Sequence, residues 1–267
     1  MRCTMELIFN PALSISGFAV GLLVGLTGVG GGSLMTPLLV LVFGFKPAAA
    51  VGTDLLYAAI TKSGGSWVHH KHDNIDWRIT GLLAAGSVPT AAITLLILAK
   101  LGVDGHTTGH LISIVLGIAL VLTATSLIFR QKLLAFAQRR SNGSQRSERK
   151  TAVLTVIVGA VVGAMVSISS VGAGALGVTA LTFLYPTLAA RRVVGSDIAH
   201  AVPLTLVAGL GHWWLGTVDF NLLLNLLIGS LPGIALGSHL VSKVPERGLR
   251  SLLAAILLLV GGKLILA

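Results

Sequence analysis

Two aspartates, Asp54 and Asp197, stand inside long apolar stretches, at equivalent places in a sequence that repeats itself at a spacing of about 143 residues. A carboxylate in lipid costs roughly 2.5 to 3.5 kcal/mol on insertion scales, so such a group has a task or a partner. Two tasks are open to this pair. They can bind and release protons or fix a gate, or each can cap a local break by accepting backbone N–H bonds. Lys62, eight residues after Asp54, lies near the same helical face. It can offset the charge of Asp54 or meet an anionic solute, and its central position argues against snorkelling, which needs a nearby interface. His200 follows Asp197 by three residues. It can titrate near neutral pH or hydrogen-bond that acid, and the hydrogen bond is the expectation.

Two glycine-rich stretches supply the complementary chemistry. Gly28-Val29-Gly30-Gly31-Gly32 precedes Ser33 in the first half, and Ser169-Ser170-Val171-Gly172-Ala173-Gly174 stands at the matching place in the second. Each leads into an apolar stretch of about 12 residues, 33–44 and 174–185, against the roughly 20 needed to cross a bilayer core. Each therefore reads as a half-helix. A helix N-terminus presents unpaired N–H groups and about half a positive charge. Two such termini, near Ser33 and Ala173, brought together halfway through a membrane make an anion site. The candidate solute-binding set is Gly28, Gly30, Gly31, Gly32, Ser33, Thr53 and Lys62 from the first half, with Ser169, Ser170, Gly172, Gly174 and Ser196 from the second. Asp54, Asp197 and His200 are candidates for coupling or gating. Gly17, Gly21 and Gly25, spaced by four, read instead as a tight helix-packing face.

The chain that must position these residues has too little polar surface for water, being 54% hydrophobic and 10% charged with mean hydropathy +0.91. Open strand edges are not tolerated in lipid and barrel alternation is missing, so the expected fold is an all-α integral membrane protein. Apolar runs give five segments per half: 12–27, 33–44, 48–67, 78–100 and 107–129, then 151–168, 174–185, 191–214, 220–241 and 249–266. That is about eight full spans plus the two half-helices. Gly52-Thr53-Asp54 returns as Gly195-Ser196-Asp197, His69 as His212, Ile75-Asp76-Trp77 as Val218-Asp219-Phe220, and Gly86-Ser87-Val88-Pro89 as Gly229-Ser230-Leu231-Pro232. The expected organisation is a first repeat over 1–130, a basic, solvated linker over 131–150 and a second repeat over 151–267. The first apolar stretch aligns with a segment of the second half and is expected to stay as a span rather than be removed as a signal. Cys3 is the single cysteine and forms no intramolecular disulfide.

Basic residues assign the sides. Arg130, Lys132, Arg139, Arg140, Arg146, Arg149 and Lys150 make the linker cytoplasmic by the positive-inside rule. Lys71, Arg78, Arg191, Arg192, Lys243, Arg247 and Arg250 then fall on the same side, and only Arg2, Lys46, Lys100 and Lys263 on the other. Matching loops of the two halves lie on opposite faces, so the repeats are predicted to be inverted, with both termini outside. Trp67, Trp77, Trp213 and Trp214 suit the interfacial aromatic belts. The net charge of +10 thus sorts by membrane side, and no nucleic-acid partner is expected. Arg191 and Arg192 can gather anions before they enter, or serve as a plain topology signal. The cluster His69-His70-Lys71-His72-Asp73 lacks a fixed ligand set, so no metal is expected there.

The run from Gly25 to Pro37, GLTGVGGGSLMTP, followed by Ala50-Val51-Gly52-Thr53, resembles the opening of the sulfite exporter TauE/SafE family of membrane permeases. The resemblance extends over nearly the whole chain. It implies a permease without cofactor or catalytic residues, in a bacterial plasma membrane, carrying sulfite, a sulfonate such as sulfoacetate, or another small organosulfur anion. Asp54 after Gly52-Thr53, and its counterpart Asp197 after Gly195-Ser196, depart from the Ser more usual in that family. With the cytoplasm negative, outward movement of one anion gains about 2.3 kcal/mol per 100 mV, which favours export. The function expected is export of such an anion, most simply sulfite, by alternating access. Proton-coupled sulfonate uptake through Asp54 or Asp197 is the alternative. An intramembrane lipid-phosphate hydrolase, as in undecaprenyl-diphosphate phosphatases, needs paired acids, an arginine and a nucleophile near the breaks, and these are missing in the sequence nearby. A metal-ion carrier rests only on Asp54, Asp197 and His200. The partners expected are the anionic solute and the bilayer, with a homodimer admitted.

Overall fold

The computed structural model describes residues 9–27, 32–102, 105–141, 147–240 and 246–266. Among them all regular structure is helical: α1 Pro11–Thr27, α2 Gly32–Leu41, α3 Pro47–Lys71, α4 Trp77–Leu101, α5 His106–Ser141, α6 Glu148–Ser169, α7 Ala175–Leu184, α8 Ala190–Trp214, α9 Phe220–Leu240 and α10 Glu246–Leu266. The two short segments, α2 and α7, are 10 residues each. At 1.5 Å per residue each reaches only about 15 Å, half of a hydrocarbon core.

Five of the described stretches are long and apolar enough to cross a membrane: Trp77–Leu101, Thr108–Arg130, Glu148–Ser169, Ala190–Trp214 and Phe220–Leu240. This is fewer than the eight spans expected. The 25 residues of α3 suffice in length, but Asp54, Lys62 and the Ser63–Ser66 stretch lower its apolarity, and the apolar parts of α1 and α10 are shorter. The predicted linker also differs. α5 continues to Ser141 and α6 begins at Glu148, because 131–141 is rich in Leu, Ala, Gln, Lys and Arg, all good helix formers.

Repeated sequence makes repeated contacts. Asp76 caps α4 by accepting the N–H groups of Arg78 and Ile79, both at 3.1 Å, and Asp219 accepts Leu222 N–H at 2.9 Å at the start of α9. α1 lies along α9 and, equivalently, α6 along α4. Both contacts are made of glycine. A Cβ on Gly17 would fall 2.6 Å from the Leu226 carbonyl oxygen and one on Gly21 2.5 Å from that of Ser230, while Gly229, Gly233 and Gly237 press on the carbonyls of Ser14, Phe18 and Leu22. In the other pair Gly86, Gly159 and Gly163 press on Val156, Leu83 and Ser87. Gly17, Gly21 and Gly25 are thus packing residues, as expected in lipid, where close backbone approach replaces the hydrophobic drive between helices.

At the centre α3 and α8 pack antiparallel, with Gly52 against His212, Gly209 against Leu56 and Gly195 against His69. The start of α4 is tied to the start of α6 by Arg78 and Glu148 at 3.2 Å, and the Asn10 N–H before α1 donates to Asn225 of α9 at 2.8 Å. Large apolar side chains such as Ile15, Val161 and Leu259 face outward, as lipid permits. Trp67, Trp77, Trp213 and Trp214 are exposed at helix ends, with the Lys71 ammonium 3.7 Å from the Trp67 ring.

Candidate functional site

The second glycine break fixes its own geometry. α6 ends on Ser170 in the left-handed region (φ 59°), whose N–H donates to the Val166 carbonyl at 2.7 Å. Gly172 (φ 137°) and Gly174 (φ 130°) then turn the chain into α7, conformations that a side chain would strain. His212 anchors the break from α8: its Nε2 meets the Ser167 carbonyl and its Nδ1 the Thr217 hydroxyl, both at 2.9 Å. Ser169 donates back to the Met165 carbonyl at 2.7 Å and so belongs to the helix end. Of the first break, Gly28, Gly30 and Gly31 lie outside the described residues; Gly32 opens α2, and Ser33 is buried.

The acids converge on these half-helices. Asp54 is fully buried, accepts the Thr36 hydroxyl of α2 through Oδ2, and faces Ser170 of the second break. Chain from both halves therefore meets at one carboxylate. Asp197, also buried, lies against Gly177 in the first turn of α7, so closely that a Cβ there would overlap it, and faces the Gly174 N–H. One oxygen of each, Oδ1, has no hydrogen-bond partner meeting normal geometry, and neither does the buried Ser170 hydroxyl. Lys62 reaches from α3 across to the second break, its Nζ donating to the Ala173 carbonyl at 3.3 Å, and its charge acts on Asp197, Asp54 and His200. Each acid is the eighth residue of its helix. Since α3 and α8 are antiparallel, the two lie roughly 10 Å in from opposite ends, with Lys62 between them.

Three expectations change here. Thr53 and Ser196 were candidates for the solute, but the Thr53 hydroxyl accepts Asp219 N–H at 3.0 Å and that of Ser196 accepts Asp76 N–H at 2.8 Å. They clasp the two halves together, because each stands one residue before its acid and so points to the opposite loop. His200 does not bond Asp197. Its Nε2 meets the Ser87 hydroxyl of α4 at 2.8 Å, since a three-residue step along α8 turns its ring toward α4. Arg191 and Arg192 stay at the start of α8, Arg191 exposed, near a cavity lined by Arg130, Thr182, Pro186 and Ala190. Helix rise puts them roughly 9 Å from Asp197.

Sequence reasoning missed Thr36, Gly177 and Tyr57. Tyr57 is buried and faces Ser230, as His200 faces Ser87. The repeat holds the clue, since 57 and 200 share one place in it and Ser87 and Ser230 share another. Among the described residues no group of three or more metal-ligating side chains gathers; His70 packs edge-on to Trp77 and His69 lies against Gly195. The crowding at Gly177 carries a prediction. In Gly177→Ala the methyl must displace the Asp197 carboxylate, so solute flux is expected to fall about tenfold or more in a folded protein, overpacking of this kind costing roughly 1–3 kcal/mol. Wild-type flux in that variant would detach Asp197 from the site.

Helices wrapped in apolar side chains around a polar centre at broken helices define a multi-pass membrane transporter. The chain belongs to the sulfite exporter TauE/SafE family, whose profile matches residues 13–264. It is 41% identical to the probable membrane transporter protein YjnA of Bacillus subtilis over 258 residues, covering 96% of this chain and 100% of that protein. The probable membrane transporter protein YdhB of the same organism is 27% identical, with 88% of this chain and 91% of the relative covered. A probable membrane transporter protein of Methanocaldococcus jannaschii is 26% identical, covering 96% and 95%. No solved structure matches the chain.

Proposed function

We propose that this protein moves a small organosulfur anion, sulfite first among them, outward across a bacterial plasma membrane by alternating access at the centre formed by the two breaks. The observation that carries the reading is Lys62, an intramembrane ammonium held between two buried acids and against the Ala173 carbonyl of the second break. An anion arriving there meets one full positive charge and the N-terminal end of α7.

The two repeats are inverted in this proposal. The antiparallel packing of α3 on α8, and the equivalence of the α1–α9 and α4–α6 contacts, support it. The chain spans with its central linker cytoplasmic and both termini outside. In keeping with that, Arg78 meets Glu148 at one face while Asn10 meets Asn225. Alternating access then amounts to rocking one set of helices about a fixed centre.

Protein reconstituted in vesicles with an inside-negative potential tests the reading. Sulfite, sulfoacetate and sulfate are supplied in turn, and efflux of sulfur is followed. Saturable efflux of sulfite or sulfoacetate well above that of empty vesicles is expected; equal efflux from both for all three anions sinks the proposal.

A further inference from the structure

Beyond the identity of the solute, the centre poses a question of charge. Lys62 acts on two buried carboxylates, Asp54 and Asp197, which stand apart along α3 and α8, and Thr36, Ser170, Gly174 and Gly177 contribute only neutral groups around them. The titratable neighbours are Tyr57, which faces Ser230, and His200, which faces Ser87 and feels the charge of Lys62; the charge balance takes both as neutral. With both acids ionised the centre carries an uncompensated negative charge, which low-dielectric surroundings oppose strongly and which repels an incoming anion. With one acid protonated it is neutral. Asp54 and Asp197 each keep an oxygen without a partner meeting normal geometry, the atom on which such a proton would sit.

Resting on the anion-transport reading above but not on its outward direction, since a monovalent anion moved with H⁺ carries no net charge for the membrane potential to drive, we infer that Asp54, Lys62 and Asp197 hold one exchangeable proton among them, and that an anion enters this triad together with a second, so that the transported unit is anion plus H⁺. The balance is simple. The empty triad has one ammonium, one carboxylate and one carboxylic acid. The anion takes the Lys62 N–H groups not used by Ala173 and adds one negative charge. A proton from the same aqueous side forms an O–H bond on the remaining carboxylate and restores neutrality. On the far side that O–H bond breaks and both leave. The repeat supports the sharing, because the place of Lys62 in the second half is held by Thr205, a neutral residue that donates to the Ala201 carbonyl. One cation thus serves two equivalent acids.

The test uses the full chain in vesicles clamped at zero potential, with a sulfonate whose acid group stays ionised, or sulfite if that is the anion that moves. For a monovalent sulfonate, a gradient of one pH unit, acid on the anion side, should accumulate it about tenfold across the membrane, the two gradients holding equal free energy. Charge moved per sulfur is then compared under a fixed voltage with the Asp54→Asn/Asp197→Asn double variant, on whatever downhill flux it retains. One more negative charge per sulfur in the variant supports the inference. Wild-type flux that ignores the pH gradient, or equal charge per sulfur in both proteins, overturns it while leaving anion transport standing. Where the double variant carries nothing, the wild-type pH-gradient result decides alone. Absence of any sulfur flux in the wild type counts instead against the functional proposal.

Discussion

Replacing Lys62 by methionine is expected to raise the anion concentration for half-maximal transport by about 10- to 100-fold, since a hydrogen bond to a charged group contributes roughly 1.5–3 kcal/mol. Methionine keeps an unbranched apolar stem, so packing along α3 changes little while the ammonium and its bond to the Ala173 carbonyl are lost. Two effects then act together. The anion loses the one full positive charge that the described residues place at the centre, and Asp54 and Asp197 lose the cation that acts on both. Arginine at the same place should recover part of the affinity, because the charge returns in a larger and more rigid fork. Flux measured against anion concentration, on protein whose monodispersity matches the wild type, gives the answer. An unchanged half-saturation in Lys62→Met removes this residue from the solute path.

Gly229→Ala is expected to destabilise the protein by about 2 kcal/mol or more, whereas Gly81→Ala should leave it unchanged or gain up to about 1 kcal/mol. The same methyl group meets opposite surroundings. At Gly229 it would run into the Ser14 carbonyl and force α1 away from α9, while at Gly81 on α4 nothing lies within 4 Å and only the better helix propensity of alanine is felt. Thermal midpoints of the two variants in one detergent, followed by loss of monodisperse protein, make the comparison. Equal midpoints would mean that the α1–α9 seam does not hold the fold together.

The repeat makes much of the candidate site legible in the sequence. Asp54 and Asp197 stand out because an acid in an apolar run is costly, and their matched positions in the two halves imply a shared task. Lys62 stands out for the same reason. The glycine breaks announce short helices because an apolar run of about 12 residues is well short of the roughly 20 needed to cross a bilayer core. Residues of ordinary type were less legible. A buried Tyr, Thr or Gly is unremarkable in sequence, so Tyr57, Thr36 and Gly177 were passed over. Thr53 and Ser196 stand beside the acids in sequence, but adjacent helical residues point about 100° apart, and their hydroxyls meet the Asp219 and Asp76 N–H groups.

Sequence alone determined the solvent, the helical class, the two half-helices and the three charged residues of the interior, because each follows from the cost of polar groups in lipid and from the length needed to cross it. Only the tertiary structure decided who meets whom. Asp54 touches Thr36 and Ser170, Asp197 sits on the first turn of α7, His200 turns to Ser87, and Lys62 crosses to the opposite half. Those pairings depend on the antiparallel register of α3 and α8 and on how closely glycine lets α1 meet α9 and α4 meet α6, and register between distant helices is set by shape and packing that no local pattern encodes.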